Sequence, residues 1–139
     1  MCIRDRSYVG CSGIGLAPDS AVSLMLPLTI GLGRAAQAAY FNEPIHAQQA
    51  LDWGLVNAVV TPDALNDEAA AWAKRLADGP VGAIGLTKRD FNRALLPHLA
   101  DQLDYEAHVQ EVAGKASDHA EGLAAFNEKR EPDYRNPSS

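Results

Sequence analysis

Asp19 is the carboxylate of this chain whose surroundings say most about chemistry. It stands between Pro18 and Ser20 in Ile14-Gly15-Leu16-Ala17-Pro18-Asp19-Ser20, just ahead of a helix-forming segment. Two tasks suit an acidic side chain there. As an N-cap its oxygen accepts from the first free N–H groups of the helix, a task for which Asp is among the best residues. As a general acid/base it takes and returns a proton on a bound substrate. Spacing alone favours the cap. Cys11 is the nearest potential nucleophile, but no histidine lies close in sequence to take its proton, so it reads as a buried free cysteine. His46, His98, His108 and His119 share no metal-ligand spacing on one helix face and read as surface residues; no metal site is expected. Gly10, Gly13 and Gly15 run in the order GxxGxG, the reverse of the dinucleotide fingerprint, and no nucleotide-binding fold is expected from them.

Composition narrows the class of protein. At 139 residues and 47% hydrophobic content the chain can close one ordinary core, and no apolar run is long enough to span a bilayer. A formal net charge of -6 with scattered Lys and Arg argues against a nucleic-acid surface while leaving room for one local basic spot toward a phosphorylated ligand. Cys2 and Cys11 are too few and too close to frame a disulfide scaffold, which suits a reducing compartment, the cytoplasm.

Residues 8–60 are expected to position Asp19, and 61–131 to form a helical region. Tyr8 to Cys11 reads as a strand end, with the glycines after it easing the turn. Ser20 to Leu26 reads as a short helix capped by Asp19 or Ser20 and closed by Pro27. A second helix spans Gly31 to Phe41 with Leu32, Ala35, Ala36 and Ala39 on one face, and Asn42-Glu43-Pro44 breaks it. Ala47 to Trp53 forms a third helix ended by Gly54, and Leu55 to Val60 reads as a short buried strand. Thr61-Pro62 opens a helix with Leu65, Ala69, Trp72 and Leu76 at helical spacing, stopped by Gly79. The helix from Pro80 carries Val81, Ile84, Phe91 and Leu95 on one side and ends by Pro97. His98 to Lys115 is less cleanly amphipathic, with Leu99, Leu103, Ala107 and Val112 as its apolar residues. Asp118 and Glu121 are spaced as a capping box for a last helix through Arg130, and 132–139 reads as a frayed tail. Residues 1–7 fit no signal peptide; Met1 to Arg6 can be back-translated as a transposon-end tag used in DNA library preparation, and read as a non-native scar.

The order of motifs resembles the enoyl-CoA hydratase/isomerase (crotonase) family. The residues that carry it are Ile14-Gly15-Leu16 with Pro18-Asp19, Leu26-Pro27, Gly31 with Arg34-Ala35, Trp53-Gly54-Leu55-Val56, and Ala125-Phe126 with Glu128-Lys129-Arg130. The resemblance runs from Tyr8 to Tyr134. It implies the second half of an α/β spiral of the ClpP/crotonase type, in which this part is mostly α-helical with one or two short strands. It also implies that covering sheet and backbone N–H donors come from a preceding half, and that the fragment alone is inactive.

Within that family the pattern resembles the branch of phenylacetate-pathway ring-epoxide isomerases and 4-chlorobenzoyl-CoA dehalogenase, where the aspartate of this loop is catalytic. Asp19 then becomes the residue that moves a proton on an acyl-CoA thioester or attacks an aromatic ring. Two-glutamate hydratases carry their second glutamate where this chain has Cys11, which disfavours hydration. A glycine pair common after the aspartate is Ala21-Val22 here, which narrows or reshapes the acyl pocket or signals lost catalysis. Phe126 and Lys129 match positions that approach the adenine and phosphate of coenzyme A; read as residues alone, Phe126 serves equally as core and Lys129 as a solvated neighbour of Glu128. The implied activity is isomerisation of an acyl-CoA thioester in fatty-acid or phenylacetate metabolism. Hydration (a lyase activity) and a non-catalytic CoA-ester-binding or assembly role are the alternatives. No separate cofactor is implied, coenzyme A being part of the substrate. The implied assembly is a homotrimer or hexamer.

Overall fold

The computed structural model describes residues 5–135 with the backbone of Cys2 and Ile3; Met1, Arg4 and 136–139, and with them parts of the expected scar and tail, lie outside the described residues. In chain order the elements are β1 (Cys2–Ile3), β2 (Arg6–Ser7), α1 (Val22–Ile30), α2 (Leu32–Phe41), β3 (Ile45–His46), α3 (Ala47–Asp52), α4 (Leu65–Ala77), α5 (Val81–Leu95), α6 (Leu99–Gly114) and α7 (Ser117–Glu128), with 3-10 turns at Ser12–Ile14 and Pro62–Ala64. Helix predominates, as expected. Two compact units result: Met1–Asn57 with Ala100–Ser139, and Ala58–Leu99.

The strands differ in place from those expected. β2 pairs antiparallel with both β1 and β3, through Cys2 with Ser7, Ile3 with Arg6, Arg6 with His46 and Ser7 with Ile45. No strand forms at Tyr8–Cys11; the segment leads into a local turn in which the Cys11 carbonyl accepts from Ile14 N at 3.1 Å and Leu16 N at 2.9 Å. Leu55–Val60 is also not a strand. Leu55 N and Val56 N donate back to Ala50 O at 2.8 and 3.3 Å, closing the end of α3, and Val56, Val59 and Val60 are exposed. A β-branched run makes a strand only where another edge is available to pair with it.

In the first unit the core is small. Ala38, Ile45 and Ala50 are buried together, with Val9, Leu26, Trp53 and Leu55 packed around them. α1 continues through Pro27 to bury Ile30 and ends at Gly31, whose φ of 82° and N–H bond to Pro27 O set the stop. The proline therefore interrupts one helical bond, toward Ser23 O, without closing the helix. α2 buries Ala35 and Ala38 and leaves Leu32 exposed, so its inner face is rotated from the expected one. Arg34 lies 5.6 Å from the centroid of Trp53, a cation–π contact joining α2 to the turn after α3.

α7 packs against residues 12–15. A Cβ on Gly15 would meet Asp118 C at 2.5 Å, and one on Gly122 would meet Ile14 C at 2.7 Å; Gly15 also has φ +67°. His119 Nδ1 is 2.8 Å from Ile14 O and half-buried, so it is not the surface residue expected. Tyr134 Oη donates to Gly13 O at 3.0 Å. The expected capping box does not form. Glu121, 1% exposed, accepts from Arg130 Nη1 at 2.5 Å, Arg130 Nη2 at 3.1 Å and Asp133 N at 2.8 Å, because the chain folds back over the end of α7.

In the second unit, Thr61 precedes a 3-10 turn with Pro62 at its start, yet its side chain makes no cap bond. α4 and α5 have the expected helical spacing, but Leu65, Trp72, Leu76, Val81, Ile84, Phe91 and Leu95 are all exposed.

Candidate active site

The loop that carries Asp19 turns sharply into α1. Val22 N donates to Asp19 O at 3.0 Å, and the two residues between them, Ser20 and Ala21, have φ of 58° and 64°. Such left-handed backbone costs a residue with a Cβ about 1–2 kcal/mol and is the conformation glycine favours. Ala21, the first residue of the Ala21-Val22 pair, therefore occupies a strained position, whereas Val22 begins the right-handed α1.

A carboxylate from a distant helix holds this turn. Glu106 of α6, 4% exposed, accepts at Oε2 from Ala21 N at 2.7 Å and at Oε1 from Ser23 N at 3.3 Å. Ser23 Oγ donates to the same Oε1 and accepts from Gln102 Nε2 at 2.8 Å. Glu106 thus does the capping expected of Asp19 or Ser20: the N-terminus of α1 has no cap from its own preceding side chains. Asp19 is left exposed, and its Oδ2 accepts from Gln110 Nε2 at 3.0 Å.

Cys11 sits beside the same loop. Burial pushes its thiol above the ordinary range, the Asp19 carboxylate pushes it further the same way, and the Asp19 backbone N–H bonded to the sulfur offsets part of the rise. Cys11 is a free, half-buried, neutral thiol at neutral pH, which does not suit a nucleophile. Pro18, Val22 and Ser23 also line a mostly apolar groove of about 230 Å³ between α1 and α2, with Leu26, Leu32 and Tyr40 among its other walls.

Phe126 and Lys129 lie at the end of α7. Phe126 is 72% exposed, so it is not a core residue, and Lys129 is an exposed C-cap with φ 57°. Among the described residues no three His, Cys, Asp or Glu side chains group as a metal site, and no helix is long and apolar enough to cross a membrane. Sequence reasoning missed Gln102, Glu106 and Gln110. Their signal was present: polar side chains at i, i+4 and i+8 share one stripe of a helix.

The enoyl-CoA hydratase/isomerase pattern matches residues 10–137 of this sequence. The chain belongs to the enoyl-CoA hydratase/isomerase family. Among curated relatives, the 1,2-epoxyphenylacetyl-CoA isomerase of Escherichia coli K12 is 37% identical over 123 residues, covering 88% of this chain and 47% of that protein. A probable enoyl-CoA hydratase of Rhodobacter capsulatus is 37% identical over 121 residues, covering 87% and 47%. The crystal structure of an enoyl-CoA hydratase from Mycobacterium avium subsp. paratuberculosis K-10 superposes with a TM-score of 0.88 at 36% identity, covering 93% of this chain and 52% of that one. The fold is accordingly the crotonase fold, and the chain spans about half the length of the relatives it matches. Relatives of similar identity carry isomerase and hydratase names, so membership establishes the enoyl-CoA hydratase/isomerase class and not one reaction within it.

Proposed function

We propose that the protein acts as an acyl-CoA isomerase in which Asp19 takes a proton from one carbon of the thioester and returns it to another. One juxtaposition carries this reading: Asp19 stands beside a neutral Cys11 thiol. Activation of water by two carboxylates, as in hydratases of this family, needs a second acid at that place. A single carboxylate with a neutral thiol suits proton relocation, which consumes no water. Because Glu106 caps α1, the Asp19 carboxylate is not engaged by the helix N-terminus.

The enolate formed when the Cα–H bond breaks needs N–H donors at its oxygen. The family resemblance implies that these come from the part of the relatives that this chain does not span. The apolar groove lined by Pro18 and Val22 suits an acyl or aromatic portion of the substrate, and its Val22 wall narrows the space a glycine would leave. Phe126 and Lys129, exposed one turn apart, suit the adenine and a phosphate of coenzyme A.

The test is Asp19→Asn in the complete polypeptide that carries this sequence, assayed for isomerisation of a 3-enoyl-CoA and for hydration of crotonyl-CoA. The expected result is isomerisation exceeding hydration in the parent and falling about 10²–10⁴-fold in the variant. Hydration as the dominant parent activity, or undiminished isomerisation in the variant, overturns the reading.

A further inference from the structure

Gln102, Glu106 and Gln110 project from one stripe of α6 and bind consecutive parts of the turn from Asp19 into the start of α1: Gln102 holds Ser23 Oγ, Glu106 holds the backbone of Ala21 and Ser23, and Gln110 holds the Asp19 carboxylate. The first two account for the shape of the turn. Gln110 touches the proposed reacting group itself. From this geometry we infer that Gln110 is the positioning residue for Asp19, fixing Oδ2 so that Oδ1 is the oxygen that accepts and returns the proton. The inference rests on the reading of Asp19 as the proton-transferring residue.

Three observations support it. Among the described residues Asp19 Oδ1 has no hydrogen-bond partner, so Gln110 occupies one oxygen and leaves the other open. Gln110 Oε1 is buried with no hydrogen-bond partner, so the side-chain amide makes no other link, and its polarity acts on Asp19 alone. The amide also has a defined sense: turned end for end, its carbonyl oxygen would face a carboxylate oxygen, acceptor against acceptor. In the step assigned to Asp19, the Cα–H bond breaks with its electron pair moving into the thioester enolate, and the proton joins Oδ1. That O–H bond then breaks as a C–H bond forms at the γ-carbon, the double bond moves into conjugation with the thioester, and Asp19 is again a carboxylate. Nothing else is consumed. Both transfers use one oxygen held over two carbons, which makes the torsion of the Asp19 side chain the coordinate that must be fixed.

Three variants of the complete polypeptide, Gln110→Leu, Gln110→Glu and Asp19→Asn, test this in 3-enoyl-CoA isomerisation. Gln110→Leu keeps side-chain size and removes the donor; kcat is expected to fall about 10²-fold with KM changed less than about threefold, the cost of a misplaced reacting group. Gln110→Glu sets a second carboxylate against Asp19, and the acidic limb of its kcat/KM profile is expected to move to higher pH because two close carboxylates do not both ionise freely. That shift is readable even in a less stable variant. A Gln110→Leu variant at parental kcat, or a Gln110→Glu profile with its acidic limb unmoved, while Asp19→Asn is inactive, overturns this inference and leaves the role of Asp19 standing. An active Asp19→Asn overturns both.

Discussion

α5 and α6 are neighbours in sequence and nearly equal in length, at 15 and 16 residues, yet they do opposite things. α5 has the cleaner apolar spacing and buries none of its residues; Val81, Ile84, Phe91 and Leu95 all stay exposed in its unit. α6 has the weaker apolar pattern, and it carries buried Glu106 and grips the Asp19 loop at three levels. Helical periodicity reports that an element has two faces. Which face finds a partner depends on residues far away in sequence, and a buried polar side chain can be the partner that matters.

That contrast is sharpest where the first unit is tightest. Gly15→Ala should cost about 3 kcal/mol or more, since its Cβ meets the Asp118 backbone at 2.5 Å and the backbone is left-handed. Urea unfolding monitored by circular dichroism measures this, and a change under about 1 kcal/mol would show that α7 is not pressed on the loop as described.

A smaller effect is expected at α6. Glu106→Ala leaves the Ala21 and Ser23 donors without an acceptor and should cost about 2–3 kcal/mol, whereas Leu86→Ala on α5, at a position 60% exposed, should stay within about 0.5 kcal/mol. Equal losses in the two variants would erase the distinction between the helices.

An effect smaller than that of Glu106→Ala, and of the opposite sign, is expected at Ala21. Ala21→Gly should stabilise by about 0.5–1 kcal/mol, because glycine adopts the φ of 64° without the Cβ clash at the cost of some chain entropy. A destabilised Ala21→Gly variant would mean that the Ala21 methyl group contributes packing that outweighs its strain.

Much of the architecture was legible in the residues. Pro62, Gly79, Pro80 and Pro97 bracket α4 and α5 because proline and glycine act locally, through φ and a missing donor. The motif order from Ile14 to Val56 led to the right family. Local rules also misled where a side chain had two uses. Asp19 and Glu121 both have good capping positions, and neither caps: Glu106 takes the N–H groups at α1, and Arg130 with the Asp133 backbone takes Glu121.

The linear order of residue types was enough to specify the helices and their breaks, which depend on neighbours within a turn or two, and the family, which is carried by the order of motifs from Ile14 to Val56. Tertiary structure alone decided that Glu106 caps a helix 83 to 85 residues away, that Gln110 reaches Asp19 across 91 residues, and that Cys11 lies beside the carboxylate. The reason is that a hydrogen bond is satisfied by whichever partner the fold brings within about 3 Å, and sequence separation has no part in that geometry.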